Sequence, residues 1–568
     1  MFQDSYLSFP VVIKRTQLER RIFSMNNGIF CFPKPRNEPT KNYAPGSVER
    51  KLMRKELSRQ EKIKVEIPVI IGGKEVRTGK IREVTMPCDH GHVLAIYHEA
   101  GPKETELAIK EALLAKKEWE SLHWTERCAV MLKVAELISN KYRYLLNAAT
   151  MLGQAKNVHQ AEIDAACESI DFLRFGAYQA SYIYQWQPLQ PHEYDCVNKM
   201  EYRPLEGFVL TISPFNFTAI ALSLNSSVIT MGNTTIWKPA RTSLLSSYYL
   251  MKIFEEAGLP PGVINFLPGP GSEISEVALR NTNFAGLHFT GSTDTFNTLW
   301  KKLGENISKY KNYPRIVGET GGKDFIFAHY SADIHALATA LVRGAFEYQG
   351  QKCSAASRAY IPKSIWKKLR EILVDWTKNL SVGDVRDFKN FVNAVIDEAS
   401  YKKIMGYIEK AKTSPNAKII VGGNGDKRTG YYVEPTIIET NDPNFVTMNE
   451  EIFGPVLTIF VYEDERFEET LTLCDSTSSY GLTGSIFAKD RKAVEKAAKI
   501  LRYAAGNFYI NDKPTGAVVC QQPFGGARAS GTNDKAGTYL NLIRWISPRT
   551  IKENLNPPTH WSYPFLEK

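Results

Sequence analysis

The sequence predicts an α/β protein built on mostly parallel sheets, and two observations carry this. Short apolar runs ended by Pro or Gly recur as GFVLTISP (Gly207–Pro214), NTTIWKPA (Asn233–Ala240), VINFLPG (Val263–Gly269) and GLHFTGS (Gly286–Ser292). Stretches with helical spacing separate them, notably Ser243–Ala257 and Ser272–Leu279. Strands that alternate with helices imply βαβ units.

The elements follow in chain order. From Thr105 to Ala180 apolar residues recur at three and four (Ala108, Ala112, Ala115, Trp119, then Val130, Val134, Leu137, Ile138), with no Pro to interrupt, and this predicts helices. The four apolar runs come next. A second alternating region predicts a strand at Asp324–Tyr330, a helix at Ala336–Tyr348 and a strand at Arg358–Pro362, followed by KIIVGG, VLTIFVY, TGSIFA and AAGNFYIN. The Gly-Gly joint at Gly321–Lys323 marks a change of domain. The chain ends in NLIRWISPRTIKENL, alternating and apolar, which predicts an exposed strand that pairs with a partner.

Composition narrows the function. The 568 residues allow two or three domains, and 43% hydrophobic with 23% charged residues is ordinary for a globular protein. The net charge of +10 is not a nucleic-acid footprint. Residues 1–60 hold twelve Lys/Arg against five acids, so most of the excess lies there and the body is nearly balanced. An Arg-rich, acid-poor start is typical of organelle transit peptides, with a basic tail as the plainer alternative. Eight scattered cysteines, without C-x-x-C or a His at ligand spacing, point to a reducing compartment and to no metal. No apolar run is long enough for a membrane span.

Five stretches carry candidate chemistry. EYQGQKCSAASR (Glu347–Arg358) sets Cys353 among the small residues Gly350, Ser354, Ala355 and Ala356, which leave room for a substrate; a buried structural thiol is the alternative. GETGGKDF (Gly318–Phe325) puts Glu319 before the Gly-Gly joint, as a general base or a solvated loop acid. SPFNFTAI (Ser213–Ile220) puts Asn216 at a strand end, as an oxyanion donor or an Asx turn. WKPA ends a strand with Lys238, a cation for ribose or phosphate or a surface lysine. FTGST (Phe289–Thr293) is a turn into a helix whose backbone N–H groups can receive phosphate.

Taken together and in this order, these stretches resemble the aldehyde dehydrogenase superfamily over about residues 63–548. EEIFGPV (Glu450–Val456), YGLTGSIF (Tyr480–Phe487) and PFGG (Pro523–Gly526) add to the likeness. SPFNFTAI, GETGGKDF, EYQGQKCSAASRAY and QQPFGGARASGTNDKAG (Gln521–Gly537) resemble its glutamate semialdehyde dehydrogenase branch. The resemblance implies a Rossmann-type cofactor domain (61–190 and 207–322), an α/β catalytic domain (323–530) and a small β oligomerisation arm with the C-terminal tail (191–206 and 531–568). These follow a basic extension over 1–60.

It also implies a reaction. L-Glutamate γ-semialdehyde, in equilibrium with 1-pyrroline-5-carboxylate, is oxidised with NAD to L-glutamate in proline degradation, in the mitochondrial matrix. Cys353 is then the nucleophile, Glu319 the base, and the Asn216 amide with the Cys353 N–H the oxyanion hole. Ser213, Lys238, Gly291, Ser292, Thr293, Asp294, Thr295, Glu451 and Phe453 match cofactor-contacting positions. Phe217 and Phe524 flank the substrate, and Ser354, Gly516 and Ala517 grip its α-carboxylate. Arg241 departs from the Glu of many NAD-preferring relatives and leaves NADP open. The alternatives are another semialdehyde or aliphatic aldehyde dehydrogenase, or a cysteine ester hydrolase without redox chemistry. A small-molecule substrate, no nucleic acid, no membrane and a homodimer or larger assembly complete the expectation.

Overall fold

A computed structural model describes residues 30–191 and 195–566. Its first seven-stranded sheet gathers the runs read from the sequence. Five parallel strands stand in the spatial order Arg315–Glu319, Phe284–Thr290, Phe208–Ile212, Thr235–Lys238, Ile264–Phe266. Val69–Ile71 and Lys74–Val76 extend the last edge in antiparallel sense. The order reverses between Phe208–Ile212 and Phe284–Thr290, and ligands of such sheets bind outside the carboxyl ends of the strands at the reversal. Phe284–Thr290 is buried along its whole length, because helices cover both faces of a parallel sheet and leave no side for polar residues.

The second seven-stranded sheet runs Ala417–Val421, Thr436–Thr440, Val456–Tyr462, Ala356–Pro362, Asp324–Ala328, Thr483–Phe487, Asn507–Ile510, with only the first strand antiparallel. The switch between sheets falls between Glu319 and Asp324, at the Gly-Gly joint. The joint has a steric reason. A Cβ on Gly321 would lie 2.5 Å from the Glu451 carboxylate, and one on Gly322 would lie 2.1 Å from the Cys353 carbonyl. Only glycines let the Cys353 turn and Glu451 close on the crossing.

The helices expected across 105–180 form as Pro102–Ser121, Trp124–Glu136, Arg143–Gln154 and Ser169–Gln185, with wider π turns at Leu137–Tyr142 and Glu162–Glu168. The terminal strand, Ile546–Asn554, finds its partner within the chain: it pairs antiparallel with Cys196–Pro204 over nine residues. The ribbon is largely exposed. No helix among the described residues is long and apolar enough to cross a membrane.

The described part of the basic extension packs on the body of the protein. Val48–Gln60 is a helix, capped by the Ser47 side chain and burying Met53, Leu57 and Gln60. Upstream of it Tyr43 is buried, and Glu38 binds Arg143 and Arg174. Asn37 donates to Asp171 at 2.8 Å and to the Val519 carbonyl at 3.0 Å. The transit-peptide expectation for residues 1–29 lies outside the described residues.

Arg143 is the buried centre of this attachment. Its guanidinium meets Glu38 and Glu162, and the Tyr43 hydroxyl donates to Glu162 at 2.7 Å. Burial alone would raise the Glu162 carboxyl, but Arg143 and Tyr43 more than offset this and hold it low. Arg143→Met leaves Glu162 charged and unpaired in the core. We expect a loss of about 3–5 kcal/mol, read as a lower urea midpoint.

Candidate active site

The carboxyl ends of the first sheet's strands carry several predicted residues. Ser213 follows Phe208–Ile212, Lys238 ends Thr235–Lys238, Gly291 and Ser292 follow Phe284–Thr290, and Glu319 ends Arg315–Glu319. Ser292 caps the helix Thr293–Glu305, its hydroxyl accepting from Thr295 N. Asp294 and Thr295 are exposed in the first turn. The Thr293 hydroxyl donates to the Ala529 carbonyl.

Lys238 is half-buried and makes no ion pair among the described residues; burial first, and then Arg241, push it down to about 8. Gly271 leaves space beside it, since a Cβ there would lie 3.5 Å from the lysine Cε. Arg241 itself is exposed. The Ser213 hydroxyl faces inward and accepts from Trp237 Nε1 at 3.0 Å. Glu451 accepts from Gly322 N at 2.8 Å, and burial raises its pKa. Phe453 sits in the left-handed region (φ 60°), its ring edge-on to Phe215. A cation without an anion, a capped helix start and a buried carboxylate fit a dinucleotide's ribose and phosphate groups.

A cleft beside this region is lined by Phe217, Glu319, Cys353, Ser354, Gly516, Ala517 and Phe524. The structure thus brings together predicted residues that are up to 307 positions apart in sequence. Asn216 stands behind the cleft wall, buried, with its side-chain N–H donated to the Gln351 carbonyl at 3.1 Å. That bond ties the Asn216 turn to the Cys353 turn and replaces the Asx-turn alternative. The Ser354 and Thr515 hydroxyls bond at 2.8 Å.

The reading of Cys353's small neighbours changes. Gly350 does not face the cleft. It has φ +64°, and a Cβ would lie 2.2 Å from the Gly454 carbonyl, so its smallness serves a backbone crossing. Ala355 and Ala356 are likewise buried in packing, and only Ser354 of the four lines the cleft.

Electrostatics set the resting protonation. Burial pushes the Cys353 thiol well above its ordinary range, and the nearby carboxylates Glu319, Asp324 and Glu451 add to this. Burial likewise raises Glu319 well above the usual carboxylate range, with Lys535 opposing; Glu319 Oε1 is buried without a hydrogen-bond partner. Burial thus favours the neutral acid of Glu319 over its carboxylate.

The sequence reading passed over Lys156. It is fully buried and paired with Asp164 at 2.7 Å. Its Nζ lies 3.8 Å from the Phe217 ring centre and 4.5 Å from that of Tyr348. Asp164 also accepts from Thr218 N and Ala219 N, which start the helix Thr218–Thr230. A lysine in a helical run reads as a solvated residue until its distant partners are known.

This chain belongs to the aldehyde dehydrogenase family, whose model matches residues 75–549. Within that family it is 55% identical, over 94% of its own length and 96% of the relative's, to the mitochondrial delta-1-pyrroline-5-carboxylate dehydrogenase of Dictyostelium discoideum. The human protein of that name is 45% identical over 94% of each chain. Among solved structures, the delta-pyrroline-5-carboxylate dehydrogenase of Mycobacterium tuberculosis bound with NAD superposes with a TM-score of 0.92. It is 47% identical, and the match covers 95% of this chain and all of that one.

Because only the thiolate reacts quickly, alkylation of Cys353 by iodoacetamide should climb through pH 7–9 by about tenfold per unit. Peptide mass spectrometry of the Cys353 fragment reads this, and a plateau near pH 7 would contradict the raised thiol.

Proposed function

We propose that the chain oxidises L-glutamate γ-semialdehyde to L-glutamate with NAD in the mitochondrial matrix, as a dimer or larger assembly joined through the exposed ribbon. The observation that carries the reading is the cleft in which Cys353 and Glu319 share walls with Phe217, Phe524, Ser354, Gly516 and Ala517. The relatives named for this activity, over nearly the whole chain, support the substrate.

The chain's own residues divide the work. Cys353, once deprotonated, attacks the aldehyde carbon and converts a poor hydride donor into an alkoxide that donates well. The Asn216 side-chain amide and the Cys353 backbone N–H hold that alkoxide; one amide N–H is held by the Gln351 carbonyl and the second serves the alkoxide. Lys238 and Glu451 would hold ribose hydroxyls, and the helix start after Ser292 would hold phosphate. NAD, when bound, would supply the hydride acceptor, and Cys353 would keep the acyl group as a thioester. Glu319, lifted by burial, takes a proton from the water that releases the acid. Phe217 and Phe524 flank the aliphatic chain, while Ser354 with Gly516 and Ala517 binds the α-carboxylate, so that orientation costs little at the reacting carbon.

Cys353→Ala should abolish NADH formation from 1-pyrroline-5-carboxylate. Asn216→Ala should lower kcat by about 10²–10³ with dinucleotide affinity retained, measured by turnover and by titration calorimetry. In Glu319→Gln we expect a burst of NADH followed by slow turnover, since acyl-enzyme forms but is not hydrolysed; a steady rate without a burst would remove Glu319 from the hydrolytic step. NAD should outperform NADP at limiting concentration, in line with the relative of known structure that binds NAD.

A further inference from the structure

Asn37, in the segment before the helix Val48–Gln60, reaches two walls of the cleft at once. One wall is the helix Ser169–Gln185, which contributes Phe172 and Gln179. The other is the loop of residues 515–522, which contributes Gly516, Ala517 and Val519 and belongs to no helix or strand. The Asn37 amide donates to Asp171 Oδ2 on the helix at 2.8 Å and to the Val519 carbonyl on the loop at 3.0 Å. Its side-chain oxygen accepts from Gln521 Nε2, also on the loop, at 2.8 Å. Both amide hydrogens are thus engaged, one on each wall.

We propose that Asn37 is a positioning residue: it ties the loop of residues 515–522 to the helix Ser169–Gln185 and so fixes the wall that the substrate meets. The loop needs such a tie. It has no strand ladder to hold it, and segments of that kind open at low cost. Cys520 sits in the left-handed region (φ 67°), which a residue with a side chain keeps only where its surroundings enforce it. Gln179 adds a bond from the helix to Cys520 Sγ at 3.3 Å, but sulfur is a weak acceptor. Asn37 is itself held independently of the loop. Glu38 N donates to Asp171 Oδ1 at 2.8 Å, and the Glu38 carboxylate binds Arg143 and Arg174. Lys41 N donates to Glu162 Oε1 at 2.9 Å. Asp171 is buried, so these donors take the place of water on its oxygens. The segment is therefore the fixed side of the tie, and the loop takes its place from it.

The kinetic part of the inference rests on the proposed activity, and the structural part does not. The full chain is measured as wild type, Asn37→Ala, Asn37→Asp and Met53→Ala, by hydrogen–deuterium exchange and by NADH formation from 1-pyrroline-5-carboxylate. In Asn37→Ala the amides of residues 518–522 should exchange about tenfold faster. KM for that substrate should rise about tenfold, with kcat at saturation and the KM for NAD retained. Asn37→Asp fills the same space but has no N–H to donate, so it should match Asn37→Ala. Met53→Ala empties a buried position in the helix Val48–Gln60 without touching the tie. It should lower the urea midpoint and leave loop exchange and KM at wild-type values. Wild-type exchange over residues 518–522 in either Asn37 variant would overturn the proposal. So would an unchanged KM there, or an equal rise in KM in Met53→Ala, which is what general loosening gives. If the wild type forms no NADH from that substrate, the proposed activity fails, and the exchange data alone decide the tie.

Discussion

Lys156 carries its charge with no exposed surface, and the site is assembled around it. One carboxylate, Asp164, neutralises it at 2.7 Å, and two aromatic faces receive it, Phe217 from the residue just before the helix Thr218–Thr230 and Tyr348 from the turn that leads to Cys353. Asp164 in turn supplies the missing acceptors at the start of the helix Thr218–Thr230. A buried pair of this kind is held by geometry: removing either partner strands a charge in the core, so both turns must stay where the pair needs them. The turns it fixes bear Asn216 and Cys353. Tyr348 and Gln349 both take left-handed backbone angles (φ 52° and 55°), a conformation that non-glycine residues keep only when the surroundings enforce it.

Around the thiol a second constraint acts. Glu319, Asp324 and Glu451 each raise the cost of ionising Cys353, and burial raises each of them, Asp324 to about 8. Lys323, buried next to Asp324, is pushed by burial down to about 7. Charge is therefore scarce at the reacting atoms, and a proton moved on one group changes the others. Burial thus favours the uncharged forms of the thiol and of the carboxyls around it.

Much of this was legible in the sequence, and for a local reason. The parallel strands lie within continuous apolar runs and the helices show three-four spacing, so their order and approximate limits follow from neighbours in the chain. Lys238 could be singled out because it ends an apolar run, Glu319 because it precedes the Gly-Gly joint, and Ser213 through the family resemblance. Residues 30–60 were read as a charged extension because counting charges says nothing about Arg143 and Glu162, which hold the segment down from more than a hundred positions away.

Gly350 shows the same limit at the site itself. Its lack of a side chain was visible, but whether that space admits a substrate or the Gly454 carbonyl is a question of which segments cross. The sequence by itself determined the α/β order, the thiol, the carboxylate and the amide. The tertiary structure alone decided what these groups face: Lys156 against Asp164 and two rings, Asn37 between Asp171 and the Val519 carbonyl, Asn216 on the Gln351 carbonyl. The physical reason is that backbone propensity and hydrophobic periodicity act between residues a few positions apart. Burial, ion pairing and pKa are instead set by whatever the fold brings within a few ångströms.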